Sequence, residues 1–219
     1  MKAFFPKRRL AVALAFAIAS ASVSTAAGPA AARGVVVYFE GEVLVDGQAA
    51  DFGQEVGPVV RVETSAASFC EIVFDEKNAV RVTQNSEATL DLSGVQKRVD
   101  LKRGGVTSVL RKLKKVAFKD SYVIATSTAV AAVRGTSFCV WADSESTYVC
   151  ACNGSVRTVD AKGSNARTLS AAHHTARIYA RKGSAIELSV AGLERHGDAD
   201  IESLAARIGE RIDWSRVDK

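Results

Sequence analysis

Apolar and polar residues alternate along most of this chain, and the alternation has a period of two. Val35, Val37 and Phe39, then Val43 and Val45, fall on one side of an extended backbone. The pattern continues with Cys70, Ile72 and Phe74, with Val80 and Val82, with Leu90 and Leu92, and with Val99 and Leu101. Turn-forming residues punctuate it at Gly41, Asp46-Gly47, Phe52-Gly53, Val56-Gly57, residues 75–78, Asn85-Ser86 and Ser93-Gly94. Asp46-Gly47 suits the positive φ values of a two-residue hairpin. Strands of about five residues at intervals of about ten predict an all-β architecture. The expected form is a compact stack of short strands, β-roll-like, solenoid-like or a sandwich.

The middle of the chain keeps this texture with one ambiguity. In residues 106–119, Val106, Leu110 and Leu113 fit a helical stripe, whereas Val116 and Phe118 fit alternation. The basic residues there, Arg111 to Lys115 and Lys119, read as a solvated turn. Segments 122–125 and 130–133 read as strands, followed by 138–141 and 148–152 around an Asp/Ser/Glu loop. Between them stands Arg134-Gly135-Thr136. Gly135 is expected to hold a positive φ where the chain turns and to let two backbones approach, with the Arg134 donors tying down the loop. Asn153-Gly154 is expected to be a turn, with short β pieces over 155–159, 167–171, 176–180 and 185–190. One helix closes the chain. Ile201, Leu204, Ala205, Ile208 and Ile212 recur at three- and four-residue steps, Asp198 or Asp200 can cap the start, and self-docking is favoured over Trp214 anchoring a partner.

Charge changes the picture only once the start of the chain is considered. Lys2, Lys7, Arg8 and Arg9 precede an apolar, alanine-rich run over residues 10–21, and small residues follow up to Ala26-Ala27. This is the layout of a secretory signal peptide over residues 1–27, cleaved near Ala26 or Ala27. The run is too short for the roughly 20 residues of a membrane span, so no span is expected after the leader is removed. The whole chain has 29 Lys and Arg against 24 Asp and Glu. All four charges of the leader are basic, and its loss leaves near neutrality, so the precursor's basic balance is no argument for nucleic acid. The domain reading is residues 28–192 for the β-domain and 193–219 for the helical segment.

The four cysteines carry the sharpest chemical hint. In an exported chain Cys70, Cys139, Cys150 and Cys152 are expected to form disulfides, with Cys139 and Cys150 as cross-strand candidates if their hairpin is in register. The alternative is a metal or redox centre. Cys150 and Cys152 lie on one face of a strand, about 6.6 Å apart along it, so both sulfurs can reach one ion. His173 and His174 are candidates to complete the set, although neighbours in a strand face opposite ways, so at most one joins unless the backbone turns. Cys139 or the second histidine is the fourth candidate. No catalytic constellation stands out, and an enzyme is not expected.

The run Tyr122-Val123-Ile124-Ala125-Thr126, the run Ala129-Val130-Ala131-Ala132-Val133-Arg134-Gly135-Thr136, and the later Asn153-Gly154-Ser155-Val156 resemble the signature of the FecR-domain family. That signature reads roughly F-x-V-x-T-P, then A-V-x-G-T-x-F, then x-G-x-V. The likeness extends over residues 34–168, with Gly41, Gly47 and Gly53 in its opening and Gly104-Gly105 in its middle. Ser127 stands where the family usually has Pro. The resemblance implies a periplasmic stack of short strands that binds or senses a protein or other envelope component. Such regulators relay a signal from an outer-membrane receptor to a cytoplasmic sigma factor. Only residues 1–9 precede the apolar run, so the cytoplasmic anti-sigma region is expected to be lacking and signalling would need a partner.

Overall fold

A computed structural model describes residue 1 and residues 34–111, 121–133 and 135–217. The expected leader beyond Met1, together with Arg134 and the basic run beyond Arg111, lies outside the described residues. The β-domain falls within one compact unit, Ala31–Lys219. Its strands in chain order are β1 (Gly34–Glu40), β2 (Val43–Val45), β3 (Gln48–Ala49), β4 (Glu55–Val56), β5 (Val59–Thr64), β6 (Phe69–Phe74), β7 (Asn78–Val82), β8 (Glu87–Asp91), β9 (Lys97–Leu110), β10 (Tyr122–Ala125), β11 (Ala129–Val133), β12 (Ser137–Ala142), β13 (Ser146–Asp160), β14 (Arg167–Ala171), β15 (Thr175–Lys182) and β16 (Ala185–Ala191). Helix α1 (Asp198–Ala206) follows. The architecture is all-β with one helix near the C-terminus, as the alternation predicts.

The strands form two layers. One runs β4-β1-β6-β7-β9-β12-β13-β15-β16, antiparallel throughout. The other runs β3-β2-β5-β8-β9-β10-β11-β13-β14, with β9 and β10 parallel and the rest antiparallel. Between them sits one core: Val36, Ile72, Phe74 and Val80 of the first layer pack with Val60, Leu90, Val99 and Ile124 of the second. Asp46 and Gly47, at φ 51° and 77°, make the expected hairpin turn between β2 and β3.

β9 and β13 belong to both layers, which the short-strand expectation did not anticipate. Residues 98–103 of β9 pair with β8 in the second layer, and 104–109 pair with β12 in the first. Residues 146–151 of β13 pair with β15, and 154–158 pair with β14. A glycine at positive φ marks each crossing, Gly104 at 83° and Gly154 at 123°. Bends of this kind let one strand serve two sheets. Asn153-Gly154 is therefore a bend inside a continuous strand and not a turn. Val106 to Leu110, ambiguous in the sequence, is strand. Gly135 does hold a positive φ of 151°, but the space where its side chain would go is ordinary, with the Leu110 carbonyl oxygen 3.7 Å away. Backbone conformation, and not close approach, asks for glycine there.

The outer face of the first layer is also buried, because α1 lies across it. Ile201, Leu204, Ala205 and Ile208 pack on Ala79, Val109, Cys139, Tyr148, Cys150, Cys152 and Ala176 in a second apolar cluster. The helix is shorter than its stripe suggests, since it ends at Ala206 and Gly209 turns the chain at φ 68°. Its cap is also different. Gly197 is the N-cap, and its backbone N–H donates to the Asp200 carboxylate at 2.8 Å, which leaves Asp198 free for another role. Leu204→Ala, which opens a void under the helix, is expected to cost about 2–5 kcal/mol, read as a lower denaturant midpoint at unchanged slope.

Candidate metal centre

Three stretches distant in sequence converge on the outer face under α1. The β12–β13 hairpin sets Cys139 opposite Cys150, the register that the sequence reading required. Pairing then slips between Phe138 and Ser137, so that Cys152 occupies a bulge where β13 begins to cross between layers. The connection from β14 to β15 carries His173 and His174. His174 has a φ of 51°, and its backbone N–H donates to the Cys152 carbonyl at 3.0 Å, clipping the connection onto β13. The backbone does turn there, and His174 is the one that faces the sulfurs, its Nδ1 3.6 Å from Cys150 Sγ.

The third contribution comes from the C-terminal segment. After β16 the chain returns over Tyr148, whose hydroxyl donates to the Gly192 carbonyl at 3.1 Å and accepts from the Glu194 N–H at 3.2 Å. His196 is thereby held with Nε2 3.3 Å from Cys152 Sγ. The donor atoms of Cys150, Cys152, His174 and His196 all lie within 4.8 Å of one another. Cys139 flanks this set, with Sγ 3.8 Å from Cys152 Sγ and 3.2 Å from Thr107 Oγ1. A cavity of about 260 Å³, lined in part by Thr107, Trp141, Arg195 and His196, opens beside His196.

All four cysteines are free and buried. Cys139 and Cys150 thus share a register position without the disulfide expected of them. Cys70 lies in the inner core, away from the others, and burial pushes its thiol up to about 12. Among the clustered groups the effects oppose one another. The Cys152 hydrogen bond pulls Cys150 far below the usual thiol range, and His174 and His196 add to this against burial. Burial raises Cys152, and its two sulfur neighbours raise it further. Burial disfavours charge on His174 and His196, but the facing thiols and, for His174, Asp198 outweigh it, so both imidazoles hold their protons more tightly than usual. These opposed directions follow from sulfurs that share hydrogen bonds with one another and with imidazoles in a low-dielectric site.

His173 does not reach the sulfurs. It is half exposed, its Nε2 lies 3.0 Å from both Asp198 carboxylate oxygens, and its ring rests 4.8 Å from that of Trp214. Trp214, considered as an anchor for a partner, instead packs on both histidines and donates from Nε1 to Glu202 at 2.8 Å. Sequence reasoning missed His196 and Asp198. His196 is the third of only three histidines, and that scarcity was the one available signal. Nothing local showed that residues 192–197 fold back over β13.

The fold and the site together define a two-layered β-domain with a cysteine and histidine cluster beside a C-terminal helix. Residues 60–157 match the family model described as FecR protein, the family that the motif resemblance implied. Cys139, Cys150 and Cys152 lie inside the match, whereas His174, His196 and Asp198 lie beyond it. No curated protein matches the chain. Among solved structures the chain is similar to a putative anti-sigma factor from Parabacteroides distasonis, at 15% identity and a TM-score of 0.49, with 60% of each chain covered. The chain thus spans 60% of that protein's length. No helix of the described residues is long and apolar enough to cross a membrane.

Proposed function

We propose that this chain is a non-catalytic regulatory module of the cell envelope, exported by its leader and cleaved near Ala26 or Ala27. In this reading the Cys/His cluster is the sensing input, and a protein of the envelope receives the output. The match to the FecR model supports a regulatory or sensing role. The observation that carries the reading is the position of the cluster: its thiols and His174 belong to the β-domain, and His196 belongs to the C-terminal segment laid over that domain. A change at the cluster therefore bears directly on whether the C-terminal segment stays docked, which is what a sensor needs and a static scaffold does not.

Fractionation tests the location, and photo-crosslinking tests the partner. The chain, expressed with its own leader, is expected in the periplasmic fraction at the mass of the cleaved form. A crosslinker placed at exposed Val190 on the edge strand β16 is expected to capture a defined envelope protein. A full-length product confined to the cytosol would remove the reading.

A further inference from the structure

The cluster has the composition and spacing of a metal site. With metal–sulfur bonds of about 2.3 Å and metal–nitrogen bonds of about 2.0–2.1 Å, a tetrahedral centre has sulfur-to-nitrogen edges of about 3.5 Å. The observed contacts from Cys150 Sγ to His174 Nδ1, 3.6 Å, and from Cys152 Sγ to His196 Nε2, 3.3 Å, bracket that edge. The nitrogens that face away from the sulfurs are also engaged. His174 Nε2–H donates to Asp198 Oδ1 at 2.8 Å, and His196 Nδ1–H donates to the Glu194 carbonyl at 2.9 Å. Each partner selects the tautomer that leaves a lone pair on the nitrogen aimed at the cluster, as the outer partners of metal-bound histidines do. Two thiolates and two neutral imidazoles carry two negative charges, so a divalent cation makes the buried site neutral.

We propose that Cys150, Cys152, His174 and His196 bind one thiophilic divalent cation of the Zn²⁺ class, and that the ion fastens the C-terminal segment to the β-domain. Two sulfur and two nitrogen donors in a tetrahedron suit Zn²⁺ over the oxygen-seeking Mg²⁺ and Ca²⁺. Cys139 stays outside the ligand set. Its sulfur is hydrogen-bonded to Thr107 and lies against the Cys152 sulfur, where it steadies a ligand without being one. Asp198 is likewise a positioning residue acting through His174. The fastening follows from chain order: Cys150 and Cys152 are on β13, His174 is on the β14–β15 connection, and His196 precedes the Gly197 N-cap of α1, whose first residue is Asp198. The inference rests on the cluster being the sensing input and names what it senses.

Reduced, metal-free full chain titrated with Co²⁺ as an optical probe tests this. The expected result is one Co²⁺ per chain, with thiolate-to-cobalt charge-transfer bands and d–d bands of tetrahedral intensity, displaced by one equivalent of Zn²⁺. Cys150→Ser and Cys152→Ser should each weaken the charge-transfer bands and the affinity, whereas Cys139→Ser and His173→Gln should retain stoichiometry and spectrum. Asp198→Asn should bind about 10–100-fold more weakly with an unchanged spectrum. Limited proteolysis should cleave residues 193–217 more slowly in the Zn²⁺ form. A folded, reduced protein without the tetrahedral spectrum, or one that loses it in Cys139→Ser but not in Cys152→Ser, overturns the ligand set. Equal cleavage with and without metal overturns the fastening. These measurements use purified protein from whole cells, so they stand or fall independently of the envelope location and partner.

Discussion

Glu71→Ala is expected to destabilise the protein by about 3–5 kcal/mol, because it takes from the buried Arg81 guanidinium its one fully buried counter-ion and leaves only the half-exposed Asp200. Glu71 is fully buried on β6, beneath α1. Its Oε1 accepts from Arg81 Nε at 2.8 Å, and its Oε2 accepts from Arg207 Nε at 2.6 Å. Arg81, itself almost fully buried, extends the network to the helix through Asp200 at 3.1 Å and Ser203 Oγ at 2.7 Å. Removing the carboxylate leaves the Arg81 Nε–H without an acceptor and the guanidinium held only from the helix side, by Asp200 and Ser203. Arg207→Ala is the control, since that side chain is 36% exposed and water can replace it, and its loss should cost about 1 kcal/mol or less. Denaturant unfolding measures both. If Glu71→Ala costs no more than Arg207→Ala, water reaches the Glu71–Arg81 pair, and α1 is not docked in solution.

Gly154→Ala should cost a comparable amount, about 3–5 kcal/mol, for two separable reasons. At φ 123° an L-residue sits in a region open almost solely to glycine, which costs about 1–3 kcal/mol. A Cβ built there would also stand 2.7 Å from Thr136 Cβ, where no side chain fits without movement, adding about 1–3 kcal/mol. Thr136 cannot readily give way, because its hydroxyl donates to the Asn153 carbonyl at 2.6 Å. In the double variant Gly154→Ala/Thr136→Gly the steric part should be relieved and the backbone part should remain. A thermodynamic cycle with the single variants isolates the first from the second. Simple additivity would mean that Thr136 does not crowd position 154. The bend also sets Cys152 two residues before it, so Gly154→Ala should weaken Co²⁺ binding as well as stability.

The two large effects arise at features of opposite legibility. Gly154 was visible in the sequence as a glycine that mattered, yet Asn-Gly reads locally as a turn. Only pairing on both sides shows that β13 passes straight through and changes layers. The ambiguity at residues 106–110 has the same origin: Val106 and Leu110 are four apart and mimic a helical stripe, but both lie in a stretch of β9 buried on each face, where alternation is lost. Glu71 and Arg81 gave no sequence signal, because alternation places charged residues on what should be a wet face. That face is dry only because α1 covers it.

The candidate centre divides the same way. Cys150 and Cys152 announced themselves by spacing, since residues two apart on a strand must share a face, and Cys139 followed from hairpin register. These relations are local, and period and turn chemistry suffice to state them. His174 needed a backbone turn that its neighbour His173 does not share, and His196 needed the segment after β16 to return across Tyr148. Asp198 looked like a helix cap and became a histidine partner once Gly197 and Asp200 took over the capping. From its order of residues alone this chain determined an all-β domain with a stretch that matches the FecR model, one closing helix and a pair of thiols on one face. Tertiary structure decided which face the helix would bury and which imidazoles would meet the thiols, because contacts across tens of residues depend on how layers pack and leave no local period to read.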